Sequence, residues 1–172
     1  MTLTEARIDA PCGTWFAVME GDRLALLSLD ERTHEKALAR RFPGAKPAPA
    51  PKGHPVLAAL RDYLAGDLAA LDRVEVATGG TPFQEKVWKA LRRLPAGKPV
   101  SYAALAEKIG APAAVRAVAG ANARNPVAVV VPCHRVIAKD GTLGGYGGGL
   151  PMKRWLLEHE GWTGSPLFDA AR

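Results

Sequence analysis

"SYAALAEKIGAPAAVRAVAGANAR", residues 101–124, decides how the second half of this chain is built. Its apolar positions recur at helical spacing on both sides of a break at Gly110 and Ala111, and Pro112 suits the start of a new helix. The result is two short helices joined by a turn, an outline that serves DNA binding often and plain packing as well. Projected at about 100° per residue, the second helix puts Val115, Val118 and Asn122 on one side. Ala113, Ala117, Gly120 and Arg124 fall on the other, which is nearly bare, with Arg116 at its edge. Small residues flanked by cations suit close approach to a groove lined by phosphates; the alternative is tight packing on a neighbouring helix.

Working outward, "TPFQEKVWKALRRLP" (81–95) precedes this pair and reads as a helix. Thr81 is placed to cap it, Pro82 to occupy its first position and Gln84 to complete a capping box, with Phe83, Val87, Leu91 and Leu94 as the apolar stripe. Gly79 and Gly80 mark a boundary, which predicts domains at 1–78 and 79–172. In the first, "TWFAVMEGDRLALLSLD" (14–30) reads as two strands around the turn "EGDR", followed by a helix over 31–41. The Pro-rich "PGAKPAPAPKGHP" (43–55) cannot continue that helix and is expected as an exposed connection. Val56, Leu57, Leu60 and Leu64 then recur at helical spacing until Gly66, and "RVEVA" (73–77) reads as a short strand.

The charge of the 172-residue chain is unevenly placed. Residues 1–78 carry 10 Lys and Arg against 11 Asp and Glu, whereas residues 79–172 carry 13 against 6. A basic half-chain of this kind suits a phosphate-rich partner, since each cation contact releases condensed counterions, although solubility alone also uses surface charge. The sequence has no apolar run of membrane-spanning length and its N-terminus lacks the pattern of a signal peptide, so a cytoplasmic protein without membrane contact is expected. Cys12 and Cys133 are accordingly expected as separate thiols. Scattered histidines at 34, 54 and 159 do not form the ligand pairs of a zinc site, and neither a metal nor a cofactor is expected.

"VVVPCHRVIAKDG" (129–141) carries the chemistry. A valine run ends at Pro132 and delivers Cys133, His134 and Arg135, so the thiol is expected where an extended, buried segment gives way to a turn. The thiolate is the nucleophile, and an imidazole is the usual means of making it available. A base needs an orienting group, and in "PMKRWLLEHEG" (151–161) the projection puts Met152, Trp155 and Leu156 inward, Glu160 at the inner edge and Glu158 outward. Glu160 opposes the helix dipole there, which suggests a role beyond solvation. "GTLGGYGGG" (141–149) has six glycines in nine residues around Tyr146, a loop able to move and offering an aromatic face. The same Cys, His and Glu could serve a hydrolase, which would turn over repeatedly and ignore DNA.

The motif "PCHRV" (132–136), with "SYAALA", "RAVAGANARNP", "GGY" and "KRWLLEHEG" in order over about 81–161, resembles the methylated-DNA–protein-cysteine methyltransferases, also called O6-alkylguanine-DNA alkyltransferases. The resemblance implies Cys133 as nucleophile, His134 as the base acting through a water, Glu160 as its holder, Tyr102 as proton donor to the leaving guanine and Asn125 as a brace for the active-site turn. It implies Arg116 in the gap left by a flipped nucleotide, Tyr146 over the base, and backbone carbonyls of Cys133 and Val136 accepting from the exocyclic amine. Ala117, Gly120, Arg124 and Arg135 are expected among the DNA-binding residues. Ala119 stands where the family often has glycine, and Gly147 where a serine is frequent. The implied fold is α+β: a small N-terminal domain with an antiparallel sheet and helices, then a mainly helical, winged-helix-like domain containing the helix-turn-helix. The expected partner is double-stranded DNA with an alkylated guanine or thymine, the expected state a monomer with cooperative assembly on DNA left open, and the expected transfer irreversible, one per molecule.

Overall fold

The computed structural model describes residues 2–164. The chain divides into two compact units, one running to Thr78 and including Pro126–Val130, the other comprising Gly79–Asn125 and the chain from Val131 onward.

In the first unit β1 (Leu3–Ala10), β2 (Gly13–Glu20) and β3 (Arg23–Ser28) form an antiparallel meander, and β4 (Ala48–Pro49) adds to β1 in parallel. The β2–β3 turn is the expected one, with Gly21 at φ +61°, a conformation that glycine adopts without strain. Trp15, Phe16, Ala17, Val18 and Met19 are all buried, so β2 reads as a continuous apolar run because both of its faces are covered. Helix α1 (Glu31–Arg41) spans the residues anticipated, started by the Asp30 side chain accepting from Thr33 N at 2.8 Å. Helix α2 (Pro55–Leu64) buries Val56, Leu57, Leu60 and Tyr63. Two features were not expected: β1 itself, and β4 inside the Pro-rich connection. "RVEVA" contributes only a single parallel bridge, Leu24 to Val76.

The 79–172 boundary needs a correction at 126–130. Leu27 N donates to Pro126 O at 3.0 Å and Ala128 N to Leu27 O at 3.3 Å, so this apolar piece covers the outer edge of β3. An edge strand presents unpaired backbone groups, and the bridges at Val76 and Val127 occupy part of them.

In the second unit α3 (Pro82–Arg92) has both hydrogen bonds of its capping box, Gln84 N to Thr81 Oγ1 at 3.2 Å and Thr81 N to Gln84 Oε1 at 3.0 Å. It buries Val87, Trp88 and Leu91, while Phe83 is half-buried. Helix α4 (Tyr102–Lys108) is capped by Ser101, and α5 (Val115–Ala123) follows after a turn. The second of the pair therefore starts at Val115 rather than Pro112, and Ala113 lies in the turn. Trp88 Nε1 donates to Ala121 O at 2.9 Å and pins α5 to α3. The strands β5 (Val100–Ser101) and β6 (Val136–Ile137) pair in parallel, and α6 (Leu150–His159) completes the unit. Among the described residues no helix is long and apolar enough to cross a membrane.

Candidate active site

The thiol is presented by a sequence of tight turns rather than by an extended strand. Val129 has φ +71°, and Val130 N donates to Ala128 O at 2.8 Å, the hydrogen bond of a γ-turn in its rarer, strained hand. A β-branched residue rarely adopts such a φ, so the valine run breaks where the pattern suggested a strand. Pro132 follows with φ −81° and ψ 67°, and Cys133 N donates to Val131 O at 2.8 Å, an inverse γ-turn. Cys133–Arg135 then form one 3-10 turn. Asn125, expected as the brace, donates from Nδ2 to the same Val131 carbonyl at 2.7 Å.

Cys133 is 9% exposed, and both cysteines of the chain are free. Burial pushes the Cys133 thiol up; side-chain bonding with Asn125, the Lys153 charge and bonding with Tyr146 oppose that without reversing it. His134 and Glu160 have fully buried side chains, with His134 Nε2 and Glu160 Oε1 2.8 Å apart. Burial pulls the imidazole below its ordinary value; Glu160 opposes this, while Arg135 and Lys153 add to it. Both directions favour the uncharged forms at neutral pH, a protonated thiol and a neutral imidazole. Nε2 carries its proton toward Glu160, and Nδ1 has no hydrogen-bond partner among the described residues. For Glu160, burial alone would raise the carboxyl, but bonds and charge from His134 and then Arg135 bring it down to about 2.

Arg135 requires a correction. Expected against DNA, it is 8% exposed, its Nε and one terminal nitrogen donate to the two Glu160 oxygens at 2.9 Å each, and the other donates to Leu94 O at 2.6 Å. Tyr102 is half-buried at the start of α4, its hydroxyl pushed up by burial and by Cys133, and bonded to Asn122 of α5. Arg116, Ala117 and Arg124 are exposed and Gly120 half-buried, so the bare helix face is open, although Arg124 folds back to donate to Gly120 O at 3.3 Å. The Val136 carbonyl, expected to face a base, accepts from Lys153 Nζ at 2.7 Å.

Lys153 was not anticipated. It is fully buried and also donates to Leu143 O at 2.5 Å and Gly145 O at 3.3 Å, tying the glycine-rich loop to β6, with the Tyr146 ring 5.9 Å away. Burial brings its ammonium down to about 8, and the nearby Cys133 opposes that. The signal was in the projection: Lys153, Leu157 and Glu160 recur at helical spacing on one face. Trp155, expected inward, is half-buried and stacks on His159 with ring centroids 4.6 Å apart.

Fold and site together define an α+β protein whose second unit holds a helix, turn and helix, a buried thiol and, on the residue after it, a buried His–Glu pair. A family model described as "6-O-methylguanine DNA methyltransferase, DNA binding domain" matches residues 82–162. A methylated-DNA–protein-cysteine methyltransferase of Mycobacterium bovis is 44% identical over 155 residues, 89% of each chain. One of Salmonella typhimurium is 57% identical over 103 residues, so that the match spans only 60% of that relative's length. A Mycobacterium tuberculosis OGT crystallised in complex with DNA superposes with TM-score 0.73 at 39% identity, covering 93% of this chain and 92% of that one. The chain belongs to the methylated-DNA–protein-cysteine methyltransferase family.

Proposed function

We propose that this protein repairs alkylated DNA by taking an O6-alkylguanine, and also an O4-alkylthymine, out of the duplex and moving the alkyl group onto Cys133. The observation that carries this reading is the His134–Glu160 pair at 2.8 Å, which leaves Nδ1 as a buried lone pair on the residue next to the thiol. A lesion inside a helix is out of reach, so the nucleotide rotates out at a cost of a few kcal/mol. Arg116, Ala117 and Arg124 on the open face of α5 meet the DNA, with Arg116 filling the gap. Tyr146 moves off the thiol to admit the base and then covers it.

The thiol passes its proton through a water to His134 Nδ1, and Glu160 stabilises the imidazolium as it forms. Sulfur attacks the alkyl carbon; the carbon–sulfur bond forms as the bond to O6 breaks, and Tyr102 gives a proton to the departing guanine. In net terms the thiol's proton ends on the guanine and the alkyl group on sulfur. A thioether has no easy route back, so each molecule acts once. The protein works as a cytoplasmic monomer on double-stranded DNA. Incubation with a duplex carrying a labelled O6-methylguanine should transfer label to the wild type and to Cys12→Ala but not to Cys133→Ala. Label retained by Cys133→Ala would rule the assignment out.

A further inference from the structure

Arg135 stands next to the proposed nucleophile and its base, yet its guanidinium is turned into the protein. Its side chain is 10% exposed, and every nitrogen of its guanidinium is directed inward, two to Glu160 and one to the Leu94 carbonyl. The Leu94 end is fixed in turn: Gly97, at φ +77°, brings the 94–97 loop so close to α6 that a Cβ there would lie 2.8 Å from the Glu160 carbonyl oxygen. The Glu160 carboxylate is thus held by the two-pronged guanidinium and by His134 at Oε1, while its main-chain carbonyl lies against the loop at Gly97.

A fully buried carboxylate demands a counter-charge. Two groups compete for that role, the guanidinium and an imidazolium at His134. The planar fork of arginine satisfies both oxygens at once, which a histidine or a lysine cannot do. We propose that Arg135 is a positioning residue that keeps the Glu160 charge neutralised, so that His134 rests as an uncharged base with Nδ1 available to the Cys133 proton. Without it, Glu160 would draw a proton onto His134, and an imidazolium cannot accept another. The charged groups acting on the imidazole are Glu160 at the end of α6, Lys153 from the same helix and Arg135 from its own turn, and the titratable Cys133 is its neighbour in that turn. Tyr102 of α4 faces the thiol. Of these only Arg135 touches the Glu160 oxygens as a permanent cation. The lowered proton affinity of His134 agrees with this assignment.

The inference rests on the alkyl-transfer reading for its consequence, but its physical content is testable apart from activity. In NMR titrations of the labelled imidazole, His134 of the wild type should be neutral at pH 7 with its proton on Nε2. In Arg135→Met it should titrate at least one pH unit higher, roughly a ten-fold change in the neutral fraction at any pH below both values. The rate of methyl transfer in that variant should show the same displacement of its acid limb and recover toward high pH. Arg135→Lys, which keeps the charge but loses the fork, should be slower with its acid limb unmoved. Arg135→Met with Glu160→Gln, which removes the buried charge as well, should return His134 to neutrality, and it substitutes should Arg135→Met alone not fold. An unmoved His134 titration in Arg135→Met, or a titration raised equally in the double variant, would overturn the role of Arg135 while leaving transfer by the wild type intact. A wild type that transfers nothing would instead overturn the reading of the site itself.

Discussion

At the scale of the residue, the thiol and the imidazole are held toward their uncharged forms beside a buried Arg135–Glu160 ion pair. Burial raises the Cys133 thiol and lowers His134, so on the proposed reading an ion pair forms between them only during transfer, with Glu160 already ionised beside the imidazole. Glu160→Gln leaves a hydrogen-bonding partner for Nε2 but removes the charge that stabilises the imidazolium. It should slow transfer by roughly 10²-fold or more, within the range that general bases contribute, as read in single-turnover kinetics on an O6-methylguanine duplex. Lys153 makes a separate prediction about stability. Its pKa is held near 8 in the folded protein against an ordinary 10.5, so between those values the unfolded chain binds the proton more tightly. Stability should therefore rise as pH climbs through that window, on the order of 3 kcal/mol at most, and Lys153→Met should abolish the rise in denaturant titrations across pH 7.5–10.5 (about 1.4 kcal/mol per unit). The burial of Cys133 and the pairing of His134 with Glu160 were legible because a rare thiol beside a base, and an acid at the inner edge of a helix, are improbable combinations. Arg135 was misread because a cation in a basic half-chain looks like a phosphate ligand, and only the fold shows that its fork is turned inward. Lys153 escaped because a lysine within a helix is ordinarily solvated.

At the scale of the element, the site depends on short-range geometry that pattern alone conveys unevenly. Helix α1, the β2–β3 turn and the capping box of α3 were readable from local chemistry, since cap, turn and period agree there. Strand β1 was not, because "LTEARIDA" alternates charged with small residues and leaves only Ile8 buried. The segment 126–131 misled for the opposite reason: valines favour strands, yet Val129 sits at φ +71° in a γ-turn and the residues before it pair with β3. Gly97 tests the brace behind Glu160. Gly97→Ala, which meets both a positive φ and a Cβ 2.8 Å from the Glu160 carbonyl, should lower stability by more than about 1 kcal/mol in thermal unfolding. The exposed face of α5 supplies a test of the DNA contact: Arg116→Ala should weaken duplex binding and reduce the slope of log affinity against log salt by up to about 1, measured by fluorescence anisotropy over a salt series.

At the scale of the whole molecule, the residues proposed for the chemistry lie in one unit, and so does the excess of basic residues. Residues 79–172 carry 13 basic against 6 acidic residues, and the same stretch holds Cys133, His134, Glu160, Tyr102 and the open helix face. The first unit includes residues 126–130 of that stretch at its own sheet edge, and the first of the tight turns leading to the thiol, at Val129, falls within them. On the proposed reading Cys133 itself becomes the acceptor of the alkyl group, once. Mass spectrometry of the digested protein after incubation with excess O6-methylguanine duplex tests it most directly. A gain of one methylene on the peptide containing Cys133, saturating at one per molecule, is the predicted result; an unmodified Cys133 peptide, or the same gain on the peptide containing Cys12, would contradict it.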